Sequence, residues 1–317
     1  MKYLIIIISL ISTFSFTAQQ QLIDIYCSDD SCTHTVIDPE MLVVERWDIL
    51  AQSKFWKTVM NLSSDTCIVN IADTREILGY VGKDKWFDQD EEEKQSYKDS
   101  VIDYNCLDSN TKIYITSGKK EFYLIEEVIP SISKAITVFQ DNNVDPWYAQ
   151  SILLIESPAQ LNYSNAGAYG PFQLMKSVAR TMGLTVNSKL DERKDFDKSA
   201  YAASQLLKTT CIPQAYRILC EVGDIEPKGN ELWFKFLVLH IYHAGARNVE
   251  SLLSQQEEPL QGMDLIKWMW TNEYGNFKNA SQNYSQVAIA AMLTLQDIVL
   301  EDCDYIFQCN DNYSTNY

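Results

Sequence analysis

Apolar residues crowd the first sixteen positions and then spread into patterned segments. Leu4 to Phe16 is apolar apart from a few Ser and Thr; it follows the short positive end Met1-Lys2 and gives way to Thr17-Ala18 before Gln19-Gln20-Gln21. A run this short is uncomfortable as a bilayer span, and its layout predicts an export signal over 1–18, cleaved near Ala18. No Cys directly follows it, so lipid attachment at a new N-terminal cysteine is not expected. No second segment is apolar for long enough to span a bilayer, so the mature chain is expected to be soluble and exported, to a periplasm or beyond the cell.

From 19 to about 125 the pattern is mixed, and a smaller α+β region is expected. Met41 to Met60 has a helical spacing, Cys67 to Ile71 the composition of a short strand, and Thr74 to Tyr80 a second helical piece. Lys112-Ile113-Tyr114-Ile115 and Phe122-Tyr123-Leu124-Ile125, separated by Ser117-Gly118, have the form of a β-hairpin. No chemistry is legible in this region, and packing against the second domain is its default role.

From about 126 to 317 the period becomes helical. Ile129 to Phe139 is amphipathic and breaks at Asn142-Asn143. Asp145-Pro146 then supplies an N-cap and a proline at the first helical position. Trp147 to Ile155 is apolar nearly all round, the mark of a buried helix. Further helices are predicted at 177–182, 199–209, 231–243, 247–253 and 284–300. The fold class is therefore mainly α: a compact all-α, lysozyme-sized domain after a smaller α+β region.

Composition narrows the function. A chain of 317 residues, 46% hydrophobic, has ample material for a core. Its net charge of −17 argues against a nucleic-acid partner, which needs clustered Lys and Arg. The acidic stretch Asp88 to Glu93 suits a solvated surface. The same acidity sits awkwardly with any acidic polymer as substrate. The eight cysteines fall into near neighbours (Cys27/Cys32, Cys67/Cys106, Cys211/Cys220, Cys303/Cys309), which predicts small disulfide loops in an oxidising compartment. No CxxC pair exists, and His34, His240 and His243 lack a ligand spacing, so no metal is expected.

The buried helix ends in Ile155-Glu156-Ser157-Pro158, and Pro158 forces the chain out of helix. Glu156 thus sits at the end of an apolar rod, ahead of the small-residue loop 165–170. An apolar wall disfavours the charged carboxylate and raises its pKa, which suits a group that protonates a departing glycosidic oxygen. A surface Glu at a helix end is the bland alternative, and spacing alone does not exclude it.

The ordered motifs around it carry a resemblance. Glu156-Ser157, then Ser164, then Gly167-Ala168-Tyr169-Gly170-Pro171-Phe172-Gln173-Leu174-Met175 resembles the signature of lytic transglycosylases of the soluble-transglycosylase and goose-type-lysozyme group. Gly183-Leu184 falls at the next helix end. Asp191-Glu192-Arg193-Lys194-Asp195 is similar to a segment of the membrane-bound type D transglycosylases, Tyr242-His243-Ala244-Gly245 to their Tyr-Asn-Ala-Gly turn, and Asn283-Tyr284 to their terminal Tyr. The likeness covers about 126–295. His243 replaces the usual Asn, and Ser281-Gln282 stands where Glu-Thr is common.

The resemblance implies cleavage of peptidoglycan glycan strands without metal or cofactor. Glu156 is then the acid that becomes the base. Ser164 and Gln173 help fix the sugar or the glutamate through hydrogen bonds, and the backbone around Gly167, Ala168 and Tyr169 lines the cleft floor. Tyr242 and Tyr284 flank the cleavage point, and Met175 and His243 join the substrate-binding set. Read from spacing alone, Gln173 and Met175 also fit ordinary helix-start and core positions, and Tyr242 a core aromatic. Gly245 is expected to cap its helix in a left-handed conformation. With one carboxylate in the signature, the expected product is a 1,6-anhydromuramoyl end, the substrate's own 6-hydroxyl closing on C1. Two other readings stay open: a goose-type-lysozyme-like muramidase that uses water, with Glu273 as a second acid, and a peptidoglycan-binding protein that has lost catalysis.

Overall fold

The computed structural model of the chain describes residues 22–26, 33–156, 164 and 167–311, with side chains as far as Leu300. The expected signal, Ser157-Pro158 and the pairs Cys27/Cys32 and Cys303/Cys309 fall outside the described residues or side chains. The fold is mainly α, a helical body after a small α+β region.

β1 (Leu22–Tyr26) and β2 (Thr33–Ile37) form an antiparallel pair. Two helices come next, α1 (Glu40–Val44) and α2 (Ala51–Asn61), where the sequence predicts one. The break is at Arg46, whose φ of 65° turns the chain so that the Trp47 amide donates to the Leu42 carbonyl. The turn buries the Trp47 ring against Phe236 and Trp270, a tertiary gain that outweighs helical continuity.

β3 (Thr66–Ile71) is the middle of a three-stranded antiparallel sheet between β4 (Ile77–Gly82) and β5 (Ile113–Ser117). Two expectations fail here. The segment 74–80 is a turn leading into β4, not a helix. β5 pairs with β3, and Phe122–Ile125 forms no strand. Past Gly118 the chain is pinned to the end of α2, with the Lys119 and Lys120 amides donating to the carbonyls of Val59 and Leu62. Such long-range bonds leave no trace in local alternation. Between β4 and β5 lie α3 (Lys83–Phe87) and α4 (Glu91–Tyr104). The acidic stretch is largely exposed, and it starts α4 with a capping box in which Asp90 and Glu93 satisfy each other's amides. One face of the sheet closes a small core of its own with Trp86 and Ile102, while Ile68 on the other face joins the main core.

The helical body comprises α5 (Ile125–Asp141), α6 (Trp147–Glu156), α7 (Lys176–Thr181), α8 (Phe196–Leu206), α9 (Ile212–Gly223), α10 (Leu232–Ala244), α11 (Ala246–Leu253), α12 (Gly262–Thr271) and α13 (Asn279–Asp311). A π-helical turn at Leu207–Cys211 runs α8 into α9. Neither α9 nor α12 is expected from the sequence; Pro213 near the start of the first and Gly262 at the start of the second mask their periods. No helix among the described residues is long and apolar enough to cross a membrane.

Every residue of α6 from Trp147 to Leu154 is buried, so the apolar rod is the axis of the core. Its start is fixed by Asp145, which accepts from the Trp147 amide at 2.9 Å and pairs with buried Lys235 at 2.7 Å. Gln150, also buried, bonds both the amide and the carbonyl of Ile37 at 2.8 Å, tying β2 to the rod. Removing that side chain would leave two buried backbone groups unpaired, at about 1–3 kcal/mol each.

The expected disulfides at Cys67/Cys106 and Cys211/Cys220 do not form; all four thiols are free. Cys67 is buried in β3 against Ser117, whereas Cys106 is exposed beyond α4. Cys211 is buried and Cys220 exposed nine residues further along helix, about 13 Å apart by helical rise and beyond the reach of a disulfide.

Candidate active site

Glu156 ends α6 with its carboxyl against the protein interior. Burial pushes its pKa up from 4.5 to about 7, opposed by a hydrogen bond from the Tyr284 hydroxyl to Oε1 at 3.1 Å. The C-terminal end of a helix dipole also disfavours negative charge there. Glu156 as a residue keeps some exposed surface. Among the described residues no second carboxylate contributes to the charge that it feels. Glu273 is exposed in the segment between α12 and α13.

Three phenols surround the carboxyl. Tyr284, from α13, and Tyr242, from the last turn of α10, are both held well above the ordinary phenol value by burial first and by Glu156 second. Tyr123, just ahead of α5, is pushed up to about 12 by the same two causes. Local alternation puts Tyr123 in a hairpin strand and misses it here; no local pattern could have found it, because the α5 junction alone brings it to Glu156.

Tyr242 also donates to the Phe172 carbonyl at 2.6 Å, joining α10 to the signature loop. His243 lies at the rim with its ring stacked on Tyr284, centroids 4.4 Å apart and planes 22° from parallel. That packing lowers its pKa although the residue keeps an exposed edge. Gly245 has a positive φ of 82°, but its ψ of 147° is extended, so the left-handed cap expected there is not the observed turn. Behind Tyr284, buried His240 shares a 2.8 Å hydrogen bond with Ser285, which accepts from Trp270 at 2.8 Å. Burial, with His243 second, pushes the His240 pKa down to about 3, so it stays neutral.

The described residues of the signature loop, 164 and 167–175, form a tight backbone structure. Ser164 Oγ accepts from the Ala168 amide at 2.9 Å, and Tyr169 and Leu174 bridge across a turn. Gln173, at φ 46°, donates from Nε2 to the Gly170 carbonyl at 3.0 Å. Ser164 and Gln173 thus bond the loop's own backbone. Gly167 and Met175 line an open hollow of ≈ 590 Å³ beside Arg180, Asn187 and Asp191.

Arg193 organises this loop. It is buried and donates from Nη1 to the carbonyls of Gly167 and Leu174 at 3.0 and 2.9 Å. Asp191 grips its other edge at 2.9 and 2.7 Å. Its guanidinium lies over the Tyr169 ring at 5.4 Å. Gly170 has φ 85°, and a Cβ there would fall 1.9 Å from the Arg193 carbonyl oxygen. The spacing Asp-x-Arg points to this segment, but its grip on the loop needs the fold. Among the described residues no group of three or more His, Cys, Asp or Glu could hold a metal ion.

Residues 135–261 match the family model for the transglycosylase SLT domain, which supports a place in the lytic transglycosylase superfamily. The match contains Glu156, the loop, Arg193 and Tyr242, and stops short of Tyr284 and Tyr123. No curated protein matches the chain. An SLT domain implies peptidoglycan as substrate and a glycan-cleaving lyase as the kind of enzyme.

Proposed function

We propose that residues 126–317 form a peptidoglycan lytic transglycosylase domain, exported behind the signal at 1–18, with Glu156 as its single acid and base. The reading rests on one observation above all: an enclosed carboxyl with its pKa near 7 and no carboxylate partner among the described residues. A protonated Glu156 donates to the oxygen joining N-acetylmuramic acid to N-acetylglucosamine, and the bond to C1 breaks. The resulting carboxylate takes the proton of the muramoyl 6-hydroxyl as that oxygen bonds C1. The proton is returned, no water enters, and the new end is a 1,6-anhydro sugar. Tyr284, by donating to the carboxylate, stabilises the intermediate form of Glu156. Tyr242 and Tyr284 flank the bond that is cut, and Ser164, Gly167, Ala168, Tyr169, Gln173, Met175 and His243 complete the surface against which the strand lies. The type D resemblance of the 191–195 and 242–245 segments belongs to the same reading.

Digestion of purified peptidoglycan by the mature chain, followed by mass spectrometry, tests it. Anhydro-ended muropeptides are expected, with Glu156→Gln slower by about 10²–10⁴-fold. Reducing ends would instead establish a muramidase, and binding without products a protein that has lost catalysis.

A further inference from the structure

The seam between the three-stranded sheet and α13 holds a cation that the proposed chemistry does not use. Arg75 lies in the β3–β4 turn with φ 63°. Its guanidinium is over the rings of Phe55 at 5.4 Å and Tyr114 at 5.8 Å. Nη2 donates to Asn283 Oδ1 at 3.1 Å and, more weakly, to Asn279 Oδ1 at 3.5 Å. Asn283 in turn donates to Asn279 at 2.9 Å, so the two amides form one fixed platform on the first turns of α13.

Two features are unusual for a residue that only glues elements together. Arg75 forms no salt bridge among the described residues, and its Nε and Nη1 have no hydrogen-bond partner there. Burial disfavours its charge, opposed first by Tyr114 and then by the exposed Asp73. A guanidinium fixed by stacking and left with free in-plane donors is pre-organised for a carboxylate. In a chain of net charge −17, a partly desolvated cation with no ion pair among the described residues is a place where an acidic polymer can be met without repulsion.

The seam and the proposed cleft meet consecutive residues of α13. Asn283 reaches Arg75, and the next residue, Tyr284, reaches Glu156. Tyr114 is 47% exposed beside Arg75 and offers a flat ring to the same ligand.

Resting on the proposed function, we infer that Arg75, Tyr114 and the Asn279/Asn283 platform form an accessory subsite for a stem-peptide carboxylate of the glycan strand held at Glu156. The α+β region then reads the peptide while the helical body cuts the glycan. All four residues lie outside the matched stretch 135–261.

Binding by the full chain carrying Glu156→Gln, chosen because its turnover is expected to be slow, is compared between stem-bearing strands and strands whose peptides have been removed. Arg75→Gln and Tyr114→Ala are each expected to weaken binding of stem-bearing strands roughly tenfold and to leave stem-free strands unchanged. Tyr114→Ala removes an exposed ring and leaves the Asn283 bond in place, so its effect is not one of unfolding; melting temperatures of both variants check this. Equal weakening of both strand types, or of neither, overturns the subsite and leaves the catalytic reading standing. Absence of binding to either strand with Arg75 and Tyr114 intact overturns both.

Discussion

Tyr284 donates a hydrogen bond to Glu156 across 128 positions of sequence, and the bond favours the ionised carboxyl while burial favours the neutral one. Tyr284→Phe removes the hydroxyl and keeps the ring on which His243 stacks. The Glu156 pKa then moves above about 7, and the alkaline limb of the pH–rate profile rises by up to about one pH unit. Turnover at the optimum falls, because the carboxylate formed after proton donation loses its donor. A limb that stays put or moves downward would show that Glu156 does not set it.

The same carboxyl makes folding depend on pH. Its folded pKa of about 7 lies above the ordinary 4.5, so between these values the folded state holds a proton that the unfolded state has released. Its contribution to stability is therefore fully present below about pH 4.5 and is lost as pH rises through about 7. Glu156→Gln escapes this loss. Denaturant titrations should show the variant equal to the parent near pH 4.5 and more stable near pH 8, by on the order of 1–2 kcal/mol, a figure discounted because the residue is partly open to solvent.

Gly170 occupies a position where both conformation and space exclude a side chain. Gly170→Ala is expected to lose roughly 2–4 kcal/mol, since positive φ and a backbone clash act together. Gly167→Ala is the control: φ is positive there too, but nothing lies within 4 Å of a Cβ, so a smaller loss of about 1 kcal/mol is expected. Equal losses at the two positions would mean that the Arg193 carbonyl can move aside.

Thiol mapping checks the state of the four described cysteines. Alkylation of the native chain without reductant should label Cys106 and Cys220, which are exposed, and spare Cys67 and Cys211 until denaturation. Burial pushes the Cys211 thiol up to about 12, so it is unreactive for two reasons. A Cys211–Cys220 peptide linked by a disulfide in the native protein would contradict the helical geometry that separates the two.

What was legible in the sequence was what is written locally. The apolar run 147–155 announced a buried helix, and Asp145-Pro146 marked its start. Glu156 came with it, as the residue at its end. What stayed hidden was set by contacts far apart in the chain. The strand β5 found its partner in β3 rather than in Phe122–Ile125, because backbone bonds to α2 lead the chain away after Gly118. That detour is what delivers Tyr123 to the carboxyl. The cysteine pair along α9 failed for the converse reason: nearness in sequence along a helix is distance in space.

Arg193 offers the sharpest separation of stability from catalysis. Arg193→Met alone takes the guanidinium from Asp191 and the donor from the carbonyls of Gly167 and Leu174, so a loss of about 3–5 kcal/mol is expected along with activity. Adding Asp191→Leu replaces the pair, buried at Arg193 and half-buried at Asp191, by apolar groups, an exchange that is commonly neutral or stabilising, so much of the stability should return. The two loop carbonyls still lack their Arg193 donor in the double variant. If Arg193 serves to position the loop beside Glu156, kcat stays about 10²-fold down after the melting temperature has recovered, while KM changes little. If turnover returns with stability, Arg193 merely holds the protein together, and the loop finds its shape without it.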